Sequence, residues 1–326
     1  MLITKSRWER FMDTLTHALV GIAVAGISGE PFSLSNPIYL ASLIGAQAPD
    51  FDIIAQLGGN VTYLKQHRAF SHSVPGLCIW ASLITGTFYL VMPGVSLLQV
   101  FFWAFAGGVS HILMDYFNAH GAAIIWPLSK SRISSHLLNV FDPLLLALLL
   151  MVFIQRWTPG ETSIAVFVIL SVYIYLRYHL RKRSAEWLKQ QFSTDEIGRM
   201  LMMPSLTRIF FWDFVIETEQ YYFVGQVGAM RPIINIHAHL IKQRVSSLTL
   251  EAQKTAVGEF FAAFTPFSYY VEQTTGESME KQVCIYDLRY FFRSKFMHSA
   301  IVLFDQDELP YDSYIHTYGK IMKHPL

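Results

Sequence analysis

Histidines and carboxylates gather in four short stretches of the first half of the chain. DTLTH holds Asp13 and His17, APDFD holds Asp50 and Asp52, HRAFSHS holds His67, Arg68 and His72, and HILMDYFNAHG holds His111, Asp115, Asn118 and His120. In HILMD the i, i+4 spacing puts His111 and Asp115 on one helical face, a turn apart. Imidazole nitrogen with carboxylate oxygen suits zinc, iron or manganese, and the aspartate can equally stand behind the histidine and orient it. Alone, the pair is explained as well by a hydrogen-bonded contact inside a bundle. In APDFD, Pro49 discourages helix just before it. An extended backbone there would aim Asp50 and Asp52 to one side. DTLTH reads as a helix start, with Asp13 or Thr14 capping and His17 one turn in. Asp142, before Pro143, reads as an N-cap or as polar support.

His67 and His72 are five residues apart, so a regular helix would splay them and a turn would bring both inward. Arg68 is a natural partner for phosphate or carboxylate. Ser71 or Ser73 can cap the following helix. Neither sits in the G-x-S-x-G elbow of a serine nucleophile.

The elements that must position these groups are apolar. The chain has 326 residues, 52% hydrophobic and 15% charged, against roughly 25% charged in soluble proteins. The deficit lies between Val74 and Leu176, and the remainder has a near-soluble composition. Four runs, Val74–Met92, Val95–Phe117, Val140–Trp157 and Ile164–Tyr178, approach the ~20 residues that a span needs. Two shorter ones, Leu15–Ser28 and Asn36–Ala48, are rich in small residues that permit close helix packing. Lys and Arg fall in alternate loops, with RYHLRKR after the last run. Six spans with both termini in the cytosol are therefore expected, and the polar stretches then share the cytosolic face. The basic N-terminus is expected to be retained, because Asp13 and His17 interrupt the pattern of a signal peptide.

Residues 1–183 are thus expected to form a polytopic helical membrane bundle, 184–203 an amphipathic linker helix ending at Pro204, and 204–326 a small β-rich cytosolic domain. The aromatic and β-branched run TRIFFWDFVIETEQYYFVGQVG, then QVCIYDLRYFF and SAIVLFDQ, read as strands. Net charge near zero argues against a nucleic-acid partner. Cys78 and Cys284, far apart, read as reduced thiols rather than a disulfide framework.

Ionisable groups inside a membrane are costly and mark function. Their recurrence on at least four segments near one face points to a metal site, and Arg68 beside it points to an anionic substrate, a phosphate ester or its lipid form, cleaved by hydrolysis. DTLTHALVG, GAQAPDFD, HRAFSHS and HILMDYFNAHG, in that order, resemble the YdjM/YfhP-type inner-membrane proteins, described as membrane-bound metal-dependent hydrolases. The resemblance covers roughly residues 12–180, and the soluble tail resembles the longer members. More distantly, the order of histidines and aspartates is similar to the zinc-dependent phospholipase C and single-strand nuclease fold. That similarity implies His17, Asp50, His67 or His72, His111, Asp115 and His120 as ligands of one or two zinc ions. The N-terminal Trp ligand and a later H-x-x-x-E pair are missing, so a three-metal site is not expected. His67 is favoured over His72 as the ligand, leaving Asp52, Arg68 and His72 as candidate catalytic groups. A permease, or a non-enzymatic platform whose tail binds a regulatory protein, is the alternative.

Overall fold

The computed structural model describes residues 2–51, 70–119, 121–129, 131–139, 142–154, 157–193, 196–206, 208–275, 280–317 and 320–324. Of the candidate site residues, Asp52, His67, Arg68 and His120 lie outside these. The chain divides into a helical unit, Trp8–Leu180, and a second unit made of Met1–Arg7 and Arg181–Leu326.

The helical unit is built from α1 (Leu2–Gly26), α2 (Pro37–Gln47), α3 (Val74–Val91), α4 (Leu97–Phe117), α5 (Pro143–Leu150) and the first part of α6 (Pro159–Gln191). Polar side chains start most of them. Asn36 accepts from Ile38 N, Ser73 from Gly76 N, and Asp142 from Leu144 N and Leu145 N, each satisfying backbone N–H groups that a helix start leaves unpaired. α3, α4 and α6 are long and apolar enough to cross a membrane. Leu83, Leu90, Leu98, Phe102 and Val168 are all more than half exposed, as lipid-facing side chains must be.

Two expectations change here. The described residues of Val140–Trp157 form the eight residues of α5 and a 3-10 turn, Met151–Phe153, shorter than a regular spanning helix. DTLTH is not a helix start. α1 begins at Leu2, so Asp13 and His17 sit mid-helix.

α2 and α4 pack backbone to backbone. A Cβ at Gly45 would stand 2.0 Å from Ala104 O, and one at Gly107 would stand 2.1 Å from Ser42 O. Ser42 Oγ donates to Gly21 O at 2.7 Å, tying α2 to α1 as well. Ala41, Ala48, Ala81, Ile84, Phe88, Val100 and Ala104 form one core. Leu19, Val20, Met114, Leu138, Leu145, Leu149 and Val166 form another, joining α1, α4, α5 and α6.

In the second unit, β1 (Ile197–Pro204), β2 (Phe211–Thr218), β3 (Tyr221–Gly228) and β4 (Ile234–Ile241) form an antiparallel sheet in chain order. Two short helices, α7 (Ser247–Lys254) and α8 (Ala256–Phe264), precede β5 (Ser268–Thr275) and β6 (Glu280–Asp287). A two-stranded hairpin, β7 (Phe291–Phe292) and β8 (Lys295–Phe296), follows. Then come β9 (His298–Phe304), β10 (Pro310–Thr317) and β11 (Lys320–His324). The second sheet runs β11-β10-β9-β6-β5, all antiparallel. The amphipathic helix expected to end at Pro204 stops at Gln191, and IGRMLMMP is β1. Met and Leu are good helix formers, but propensity is a weak prior that tertiary pairing overrides. Pairing with β2, from Ile197↔Thr218 to Pro204↔Trp212, buries Met202 and Met203 and decides the matter. Cys78 and Cys284 are both free.

Candidate metal centre

Four described segments of the helical unit deliver imidazoles and carboxylates to one place. α4 supplies His111 and Asp115 at the spacing that puts them on one face, with Nε2 and Oδ2 3.6 Å apart. The helix ends at Asn118, whose backbone is extended. There the Asn118 side chain turns back, and Nδ2 donates to Asp115 Oδ1 at 2.9 Å. His72 closes a 3-10 turn, Phe70–His72, just before α3. The turn folds onto Gly76, where a Cβ would meet Phe70 O at 2.1 Å. Asp50 lies in a short 3-10 stretch that prolongs α2, at the helix end that Pro49 signals. His17 projects from α1 with Asp13 one turn earlier, its Nε2 3.4 Å from Asp13 Oδ1.

The distances converge. His72 Nε2 and His111 Nε2 are 3.2 Å apart. Asp50 Oδ1 lies 3.4 Å from the first and 3.6 Å from the second. Asp115 Oδ2 lies 3.3 Å from the first and 3.6 Å from the second. The other oxygen, Asp115 Oδ1, lies 3.8 Å from His17 Nε2. The His17 and His111 rings stack with centroids 3.8 Å apart. Asp13, His17, Asp50, His72, His111 and Asp115 thus make three overlapping groups able to hold a metal ion.

These residues fit a divalent cation. His111 Nδ1 lies 2.7 Å from Ala46 O. A carbonyl only accepts, so the neutral ring carries its proton on Nδ1 and turns the Nε2 lone pair toward His72. His72 Nδ1 is held by Ser71 Oγ at 2.9 Å. A cation about 2.05 Å from both Nε2 atoms would subtend about 103°, close to the tetrahedral angle of zinc sites. The exposures of His17, His72, His111 and Asp115 are 0–1%, and among the described residues neither nitrogen of His17 makes a hydrogen bond of good geometry, the nearest approach being Asp13 Oδ1 at 3.4 Å from Nε2. Burying imidazole nitrogens without good hydrogen bonds is expensive, and a shared cation would offset the cost.

His17, Asp50, His111 and Asp115, expected as ligands, are therefore brought together. His72, expected as a catalytic group, stands among the ligand positions. Asp142 does not join them. It caps α5 and accepts from Tyr173 OH at 2.6 Å. Sequence reasoning gave Asp13 a capping role rather than a ligand's, although Asp13 and His17 repeat the i, i+4 spacing of His111 and Asp115. It also assigned no role to Asn118, whose one-turn spacing from Asp115 is the available signal.

Residues 12–184 match the family described as YdjM inner membrane protein. Residues 247–323 match the YfhP C-terminal alpha/beta plait domain. A curated relative, the uncharacterized protein YfhP of Bacillus subtilis (strain 168), is 28% identical over 306 residues, which cover 91% of this chain and 92% of that protein. No solved structure matches.

Proposed function

The chain belongs to the YdjM inner membrane protein family, and on that premise we propose that it is a membrane-bound, metal-dependent hydrolase of phosphoesters. One observation carries this reading. The Nε2 atoms of His72 and His111 stand 3.2 Å apart, with oxygens of Asp50 and Asp115 3.3–3.6 Å from both. His72, His111, Asp50 and Asp115 Oδ2 would hold one zinc. Asp13, His17 and Asp115 Oδ1 are the groups available to a second. Bound there, zinc supplies Lewis-acid polarisation of a phosphoryl oxygen and acidifies water. Asn118 orients Asp115, and Ala46 O and Ser71 orient the rings. Arg68 is assigned to the anionic phosphoryl group and Asp52 to proton transfer. A cytosol-facing site completes the proposal, on the Lys and Arg that accompany the polar stretches in the sequence. The permease reading gains nothing from a cluster in which three imidazoles converge on one carboxylate.

Purified full-length protein is expected to retain one or two equivalents of zinc by elemental analysis and to cleave p-nitrophenyl phosphate. His111→Ala is expected to lose both the zinc and the cleavage. Wild-type protein that retains no metal, or a metal-loaded His111→Ala variant, would overturn the assignment.

A further inference from the structure

Two ligand positions of this cluster have an exposed phenylalanine beside them in sequence, and each phenylalanine packs on a tryptophan. Phe51 follows Asp50, is 46% exposed, and meets Trp80 of α3 edge to face at 5.9 Å. Phe70 lies two residues before His72, is 39% exposed, and meets Trp126 edge to face at 5.0 Å. Trp126 belongs to an apolar turn, Ile124–Leu128, outside any helix. The turn is ordered by its own backbone. Trp126 N donates to Ala123 O, Leu128 N donates to Ile125 O, and Ala122 bridges Ile133. Yet it presents Ile125 at 48% and Leu128 at 89% exposure.

The turn is also wired to the cluster. Gly121 N donates to Asn118 Oδ1 at 3.2 Å, and the amide of the same side chain holds Asp115. A site for a small water-soluble anion has no use for such a rim, because exposed apolar patches mark contact with apolar partners. Here the partner is close at hand. Trp80, Ile79 and Leu83 lie along α3, a helix fit to cross a membrane, with Ile79 and Leu83 about half exposed. The aromatic rim therefore continues the lipid-facing surface up to the ligand positions.

We propose that Phe51, Phe70, Trp80, Trp126, Ile125 and Leu128 form a seat for the hydrocarbon chain of a lipid-borne phosphoester, whose phosphoryl group reaches the His–Asp cluster. The proposal rests on the hydrolase reading and narrows its substrate to one drawn from the bilayer. The chain lies along the rim, as apolar and aromatic linings bury most of a ligand.

The experiment uses the full-length protein in phosphatidylcholine nanodiscs, with phosphatidic acid carrying a photoreactive diazirine in its acyl chain, and maps cross-links by peptide mass spectrometry. Cross-links are expected on the peptides containing Phe70 and Trp126–Leu128. Unlabelled phosphatidic acid should compete them away, diacylglycerol should not, and metal chelation should lower them several-fold. Leu128→Ser, at the most exposed position and so tolerated by the fold, should lower cross-linking about fivefold with metal content unchanged. Equal cross-linking by diazirine phosphatidylcholine, without competition, makes the rim a membrane anchor only and overturns the proposal. If that happens while the protein keeps its zinc and cleaves p-nitrophenyl phosphate, the lipid inference fails and the hydrolase reading stands. Loss of zinc from the wild type removes both.

Discussion

His72 Nε2 and His111 Nε2 face each other across 3.2 Å, although the two residues come from different segments and each ring is fixed from behind, by Ser71 Oγ and by Ala46 O. Rings oriented through Nδ1 present Nε2 to a common point, which is how histidines are held when they ligate metal. His72 is therefore placed as a ligand would be, while His67, which sequence reasoning preferred of the two, lies outside the described residues. His72→Gln is expected to weaken zinc binding by more than about hundredfold, beyond the 10–100-fold typical of groups that only orient a ligand. Titration against a competing chelator measures this, and a loss below about tenfold would return His72 to an outer position.

Asn118 is expected to act at one remove. Its amide holds Asp115 Oδ1, and its carbonyl oxygen accepts from Gly121 N. Asn118→Ala should leave every ligand in place and lower zinc affinity about 10–100-fold. A circular dichroism spectrum like that of the wild type would show that the helices persist. Unchanged affinity would mean that Asp115 needs no help to stay aimed.

Much of this was legible in the chain, and the misses have physical causes. The His111–Asp115 pair follows from helix periodicity alone, and the apolar lengths of α3, α4 and α6 are plain in composition. Asp13 has the residue type of an N-cap, but capping side chains recur by chance and the helix nucleates earlier, at Leu2. IGRMLMMP carries helix-forming Met and Leu, and only the long-range pairing with β2 makes it a strand. The run Val140–Trp157 is apolar throughout, yet hydropathy reports solubility in lipid rather than helix length. The meeting of His17, Asp50 and His72 with α4 depends on contacts between helices, for which local sequence holds no signal beyond its glycines.

Those glycines can be tested directly. At Gly45 and Gly107 an added Cβ would fall 2.0 and 2.1 Å from opposing backbone oxygens, which cannot rotate away. Gly45→Ala must push α2 from α4, moving Ala46 O and Asp50 away from His111. Overpacking of this kind costs about 1–3 kcal/mol, so a lower thermal midpoint and reduced zinc content are expected together. Gly86→Ala, on α3 where an added Cβ would meet nothing within 4 Å, is the neutral control. Equal behaviour of the two variants would refute the close approach.

The second unit carries a pH-sensitive group of its own. His298 opens β9 at 5% exposure, packed edge to face against Phe264 and Tyr290. Burial pushes its imidazole down to about 4, with Asp287 opposing the shift and Arg289 adding to it. The folded state thus resists a proton that the unfolded chain accepts near pH 6.5. Stability is complete above that value, declines as the pH falls from about 6.5 toward about 4, and levels off below, by up to roughly 3 kcal/mol. His298→Phe keeps a ring in the same aromatic setting and removes the titration. Hydrogen exchange of the β9 amides in the full-length protein, corrected for intrinsic rates at about pH 7.5, above the window, and at about pH 5.5 and 4.5, within it, should show protection falling in the wild type and staying flatter in the variant. Parallel loss of protection in both proteins would assign the acid sensitivity to another group.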